Sequence, residues 1–237
     1  MTKLSVNINK IALIRNAREG NLPNLYQIAT DIEKFGAEGI TVHPRPDERH
    51  IRYADIPILK SLVTTEFNIE GYPSEAFLEL VLKNKPDQCT LVPDPPGVLT
   101  SNAGWDCVQH GDFLQKTIKK LHQEQIRVSL FIEPIPQQLE AAQATGTDRI
   151  EFYTGPYAAA YAKNPNQAIK EFAQAALVAN RLNLGINAGH DLNLENLKHF
   201  KQNIPNLLEV SIGHALISDA LYYGLANTVQ MYKELLR

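Results

Sequence analysis

The chain has no apolar run approaching the roughly 20 residues needed to cross a bilayer, and its start, Met-Thr-Lys-Leu-Ser-Val-Asn, has no apolar signal core. Its two cysteines, Cys89 and Cys107, are too few to staple 237 residues and lack metal-site spacing, which suits a reducing cytosol. Positive charge is not in excess. The 23 Lys and Arg stand against 26 Asp and Glu, a formal charge of −3, with no basic face or run, so neither nucleic acid nor a membrane surface is implied as a partner. There is no His-x-His or His-Glu-x-x-His spacing, so no metal is implied. No lysine ends a core strand, which argues against an enzyme-bound Schiff base. These exclusions lead to the expectation of a soluble cytoplasmic protein whose useful charge is local.

With 44% hydrophobic and 21% charged residues, the chain can bury one large core, and a barrel of about 250 residues fits its length. Apolar runs alternate with helical periodicity throughout. Strands are expected at Leu4–Ile8, Gly39–Val42, Phe67–Glu70, Gln88–Val92, Arg127–Ile132, Arg149–Tyr153, Leu184–Asn187 and Glu209–Ile212. Helices are expected from an Asn24 cap to near Gly36, over Ala54–Val63, from Ser74 to Lys83, over Gly111–Glu124, to near Gly146, over Pro165–Arg181, and through Ala220 and Leu225 to Leu236. Eight strands and about eight helices, at roughly thirty residues per unit, make a single-domain parallel (β/α)8 TIM barrel over residues 1–237. A doubly wound sheet is the alternative, but the Gly-x-Gly-x-x-Gly turn it commonly uses after strand one is absent.

The second strand ends abruptly in charge. Within a few residues come His43, Arg45, Arg49, His50 and Arg52, stiffened by Pro44 and Pro46. Guanidinium forks and imidazoles gathered there suit an anion, most simply a phosphate. The plain alternative is a solvated loop neutralised by Asp47 and Glu48. The other strand ends favour the functional reading, because a barrel gathers them at one mouth. They present Asn7 and Asn9, Glu70, Glu133, Glu151, Asn187 with His190, and Gly213 with His214. Partial burial of Glu70 or Glu151 would raise its proton affinity towards acid–base use, whereas Glu133 is expected to be structural. The glycine turns Gly189-His190 and Gly213-His214, after strands seven and eight, suit a second phosphate. The long 94–106 loop is either a lid or a surface excursion.

Several stretches resemble the pyridoxine 5′-phosphate synthase family in order and spacing: residues 7–18, 39–51, Phe67-Asn-Ile-Glu70, Cys89-Thr-Leu-Val-Pro93, Asn187-Ala-Gly-His190 and Ile212-Gly-His214. The resemblance covers nearly the whole chain. It implies an octameric (β/α)8 barrel that condenses 1-deoxy-D-xylulose 5-phosphate with 3-amino-2-oxopropyl phosphate and needs no cofactor. It makes His43 and Glu70 general bases, His190 a general acid, and Glu151 a stabiliser of the transition state. The aminoketone phosphate would lie near Asn7, Arg18, Asp191, Gly213 and His214. The deoxyxylulose phosphate would lie against Asn9, Lys10, Arg45, His50 and Thr100. Two departures stand out, because many members have Asp-His where this chain has Asn9-Lys10, and Gly where it has Asp191. A carboxylate at 191 would repel a phosphate unless its side chain turns away. A sugar-phosphate isomerase or epimerase, with one carboxylate base and one anion site, is the rival enzyme reading. A non-catalytic phosphometabolite sensor is the rival from another class.

Overall fold

The computed structural model describes residues 1–94 and 103–237. Eight strands, β1 (Lys3–Asn7), β2 (Gly39–Val42), β3 (Glu66–Gly71), β4 (Gln88–Leu91), β5 (Arg127–Ile132), β6 (Arg149–Tyr153), β7 (Gly185–Gly189) and β8 (Leu207–Ile212), pair in sequence order as a closed parallel barrel. β1 closes on β8, with Ser5 opposite Ser211. The helices are α1 (Asn9–Asn16), α2 (Leu25–Lys34), α3 (Asp55–Leu62), α4 (Glu75–Asn84), α5 (Cys107–Gln123) and α6 (Pro136–Ala144) in the first part of the chain. They continue as α7 (Gly155–Tyr161), α8 (Pro165–Ala168), α9 (Lys170–Arg181), α10 (Leu197–Asn203), α11 (His214–Tyr223) and α12 (Leu225–Leu235). Among the described residues, no helix is long and apolar enough to cross a membrane.

Strand alternation divides the core in two. Leu4, Val6, Ile40, Val42, Phe67, Ile69, Leu130, Ile132, Ile150, Phe152 and Val210 form one apolar face, fully buried in the cluster that includes the helices' buried sides. The intervening positions carry Ser5, Thr41, Asn68, Thr90, Ser129, Glu151, Asn187 and Ser211, all buried. They meet across the strands: Ser5 Oγ lies 2.7 Å from Thr41 Oγ1, and Thr90 Oγ1 donates to Asn68 Oδ1 at 3.1 Å. The barrel interior is therefore lined by polar side chains, only some of them hydrogen-bonded to one another, rather than filled by branched aliphatic ones, the usual filling of such barrels. Its floor, at the strands' starts, is ionic. Arg127 pairs with Glu66, and Arg149 lies 3.8 Å from Glu66 and 3.7 Å from Glu209.

Several local expectations need correction. Residues 9–16, where no helix was expected, form α1, which Asn7 helps to start by accepting the Asn9 N–H at 3.0 Å. The helix expected from Gly111 begins at Cys107, because the Asp106 carboxylate caps it at the Gln109 N–H. The stretch Pro165–Arg181 is two helices, with α7 before them and α10 after, neither anticipated. The last helix breaks at Gly224, whose φ of 77° and ψ of 145° leave helical space. Asn24 caps α2 as expected, accepting from the N–H groups of Tyr26 and Gln27.

Candidate active site

The parallel arrangement brings the carboxyl ends of all eight strands to one mouth, and β2 delivers the arginine loop there. His43 and Arg45 are buried, and Arg45 Nη2 donates to Asp94 Oδ2 at 2.9 Å. His43, Arg45, Arg49, Tyr53, Tyr72 and Asp94 border a cleft. The loop is held from below by α1. Asn16 Nδ2 reaches the carbonyls of Glu48, Arg49 and His50 at 3.3, 3.2 and 2.8 Å, and Arg15 Nη2 donates to the His50 carbonyl at 3.1 Å. Arg15 itself is 2% exposed and bidentate to Asp55, at 2.8 and 2.9 Å. No role was anticipated for Arg15 or Asn16. The available signal was the buried face of α1, where Arg15 follows Ile11 and Ala12 at helical spacing.

Electrostatics set the protonation of this half. Burial, followed by Arg45, His50 and Arg49, lowers His43 well below 6.5, so it is a neutral imidazole at physiological pH. His50 falls to about 4, again through burial first and then Arg49, Arg45 and Lys10. The Ile51 N–H donates to His50 Nδ1 at 2.9 Å, which leaves the proton of the neutral ring on Nε2. Asn9 Oδ1 accepts the His43 N–H at 2.9 Å, so its carbonyl is engaged while its amide remains a donor.

Across the mouth stand the carboxyls. Asn7 Nδ2 donates to Glu70 Oε2 at 3.4 Å. Burial first, and then the charges of Glu209 and Asp94, raise Glu70 to about 8, with Arg45 opposing them. Glu151, 4% exposed, is pushed well above its ordinary value by burial and then by Glu70, which favours its protonated form. A Cβ on Gly189 would lie 2.6 Å from Glu151 Oε1, and one on Gly213 would lie 3.0 Å from the Asn7 Cβ. Gly189 is required by close approach, since its Cβ would also meet the Ser211 carbonyl at 2.8 Å, whereas a Cβ at Gly213 would be tight against Asn7 alone. Gly213 also precedes α11, whose first turn offers N–H groups to an anion beside the exposed His214.

After β7 the chain turns through His190 and Asp191, with φ of 72° and 51° in the left-handed region. His190 Nδ1 lies 2.8 Å from Asp191 Oδ2, and its ring meets Tyr153 edge-on at 5.4 Å. The Asp191 carboxylate has turned to the histidine. Hence Asn7, Asn9, His43, Arg45, His50, Glu70, Glu151, His190, Asp191, Gly213 and His214 belong to this mouth, and Lys10 is close enough to act on His50. Arg18 is exposed beyond the end of α1. Thr100 and most of the 94–106 loop lie outside the described residues.

Residues 4–237 match the family model described as "Pyridoxal phosphate biosynthesis protein PdxJ". Two relatives, each bearing the name pyridoxine 5′-phosphate synthase, are similar over nearly their whole length. One from Flavobacterium johnsoniae is 57% identical over 237 residues, covering 100% of both chains. Another from Cytophaga hutchinsonii is 60% identical over 232 residues, covering 98% of each. Among solved structures, 3-keto-L-gulonate-6-phosphate decarboxylase from Vibrio cholerae superposes with a TM-score of 0.67 over 99% of this chain and 97% of that one. At 9% identity this is a likeness of fold alone.

Proposed function

The chain belongs to the family of the pyridoxal phosphate biosynthesis protein PdxJ and is an enzyme of vitamin B6 biosynthesis, a pyridoxine 5′-phosphate synthase, and on that premise we propose how its mouth carries out the reaction. The substrates are 1-deoxy-D-xylulose 5-phosphate and 3-amino-2-oxopropyl phosphate, and the products are pyridoxine 5′-phosphate, inorganic phosphate and water. One substrate brings the amine and the other the ketone, so their imine forms without a lysine. What the protein must supply is proton transfer and charge stabilisation.

The observation that carries this reading is the presence in one mouth of two anion-binding ends with acid–base groups between them. The deoxyxylulose phosphate binds at the β2 end, against Arg45, the His50 Nε2–H, the Asn9 amide and Lys10, while the contact expected from Thr100 falls outside the described residues. The aminoketone phosphate binds at the α11 end, near Gly213, His214, Asn7, Arg18 and the turn at Asp191. His43 and Glu70 take protons, a role that fits a neutral imidazole and a carboxyl raised to about 8. His190 gives a proton to a departing oxygen. Glu151, whose burial favours the protonated form, donates a hydrogen bond to charge that develops beside it. A cytoplasmic homo-octamer of single-domain protomers completes the proposal.

An isomerase or epimerase would need one phosphate site and one base. Calorimetric titration separates the readings: each substrate is expected to bind alone, and the deoxyxylulose phosphate is expected to bind also when a non-reactive aminoketone phosphate analogue saturates the other end. Mutual exclusion would overturn the two-site reading.

A further inference from the structure

We propose that Asp191 is a positioning residue for His190, fixing which ring nitrogen faces the substrate. This rests on the reading of His190 as the proton donor. The carboxylate lies at a position where the resemblance leads one to expect glycine, and where φ of 51° would suit glycine best. It is not directed at a phosphate. Asp191 Oδ2 sits 2.8 Å from His190 Nδ1, an ionised acceptor facing the ring N–H. Its ionised form is supported by that hydrogen bond, which holds the carboxyl below its usual range against the effect of burial, with the charges of His190 and His214 adding in the same sense.

The turn that carries this pair is itself tied down. Asn196 Nδ2 donates to the Asp191 carbonyl at 3.2 Å, the Leu192 N–H donates to the His190 carbonyl at 2.7 Å, and Thr154 Oγ1 lies within donating reach of the carbonyls of Gly189 and His190. Tyr153 meets the imidazole edge-on from β6, at an interplanar angle of 79°. With Nδ1–H committed to Asp191, the proton delivered to the substrate is the one on Nε2. The charged ring donates its Nε2 proton to the leaving oxygen as the C–O bond breaks with its electron pair on that oxygen. The neutral ring retains Nδ1–H towards Asp191, and solvent returns a proton to Nε2 before the next cycle.

The test uses the full-length protein and the variants Asp191→Gly and Asp191→Asn. Glycine fits the left-handed backbone, so a folded variant is expected, and circular dichroism checks it. In protein labelled with 15N-histidine, with His190 assigned by its loss in His190→Gln, the neutral wild-type ring is expected to be the Nδ1–H form. In Asp191→Gly it is expected to shift towards Nε2–H. The kcat of both variants is expected to fall roughly ten- to a hundredfold, the size of one charge-assisted hydrogen bond, with KM for both substrates within about twofold. A wild-type ring in the Nε2–H form, or a glycine variant with normal kcat, would overturn the proposal. So would a change confined to KM for the aminoketone phosphate, which would make Asp191 part of the phosphate site. The NMR readout needs no turnover, so a fully active His190→Gln would refute the donor role of His190 while the tautomer still reports on the pair.

Discussion

At the scale of single residues, the account depends most on Glu70, because its environment gives it two opposed consequences. Its carboxyl titrates near 8 rather than near 4.5, so the stability it contributes is fully present below about pH 4.5 and is lost as pH rises through about 8. Glu70→Gln cannot ionise and is expected to melt higher than wild type at pH 9 and at the same temperature near pH 4. The same variant cannot accept a proton, so single-turnover kinetics should show a loss of about 10²–10⁴-fold with both substrates still bound. A stable variant with near-normal turnover would remove Glu70 from the mechanism. On wild type, kcat/KM should rise with pH to a plateau above about 8, since a base must be unprotonated. Arg45 is the matching binding residue. Its guanidinium already pairs with Asp94, so it is aimed before the ligand arrives. Arg45→Ala should weaken the deoxyxylulose phosphate by roughly ten- to a hundredfold in titration, the value of a charge-assisted contact, and unchanged affinity would move that phosphate elsewhere.

At the scale of elements, α1 is what makes the arginine loop a site rather than a solvated loop. Asp55 shows how firmly: burial raises its carboxyl, but hydrogen bonds from Arg15, the Arg52 N–H and Tyr26, and then the Arg15 charge, more than offset this and hold it below 3.8. That contribution is present above about pH 3.8 and is lost as pH falls below it. Arg15→Met leaves Asp55 buried without its ion-pair partner and should cost about 3–5 kcal/mol in denaturant unfolding. Asn16→Ala leaves the Arg15–Asp55 pair intact but removes the clasp on three carbonyls and the Oδ1 that accepts the Arg15 Nε–H at 3.1 Å, so it should weaken the deoxyxylulose phosphate while lowering the melting temperature less than Arg15→Met does. Equal affinity in Asn16→Ala would show that the loop holds its shape without the Asn16 clasp, on the Arg15 contacts alone. The strands were legible because each is a short apolar run closed by a glycine, proline or charge, and the helices of the main repeat were legible where a cap announced them, as at Asn24 and Ser74. α1, α7 and α10 were not, because each has eight residues or fewer and a narrow apolar face: Ile11 and Ala12, Tyr157, and Leu197 with Phe200. Asp106 was a cap in plain view, hidden by its place at the end of a long loop. Of the site, the residue types at the strand ends were readable from position alone. Which of them pair was not, because the Asn9–His43, Arg45–Asp94 and His190–Asp191 contacts depend on side-chain direction rather than on spacing.

At the scale of the whole molecule, the barrel is polar along its axis, and this follows from the sequence pattern once strand phase is known. Ser5, Thr41, Asn68, Thr90 and Ser129 occupy one phase, and the ion pairs of Glu66, Arg127, Arg149 and Glu209 brace the floor beneath them. Carboxyls enclosed in that environment keep their protons to higher pH, which connects the architecture to the acid–base roles at the mouth. All of this bears on one claim, that the two substrates meet in this mouth and leave as a closed ring. The direct measurement is to mix the purified protein with 1-deoxy-D-xylulose 5-phosphate and 3-amino-2-oxopropyl phosphate and follow pyridoxine 5′-phosphate and free phosphate together. The expected result is equimolar appearance of the two products, abolished when either substrate is omitted. Folded protein that binds both substrates and releases neither product would contradict the account.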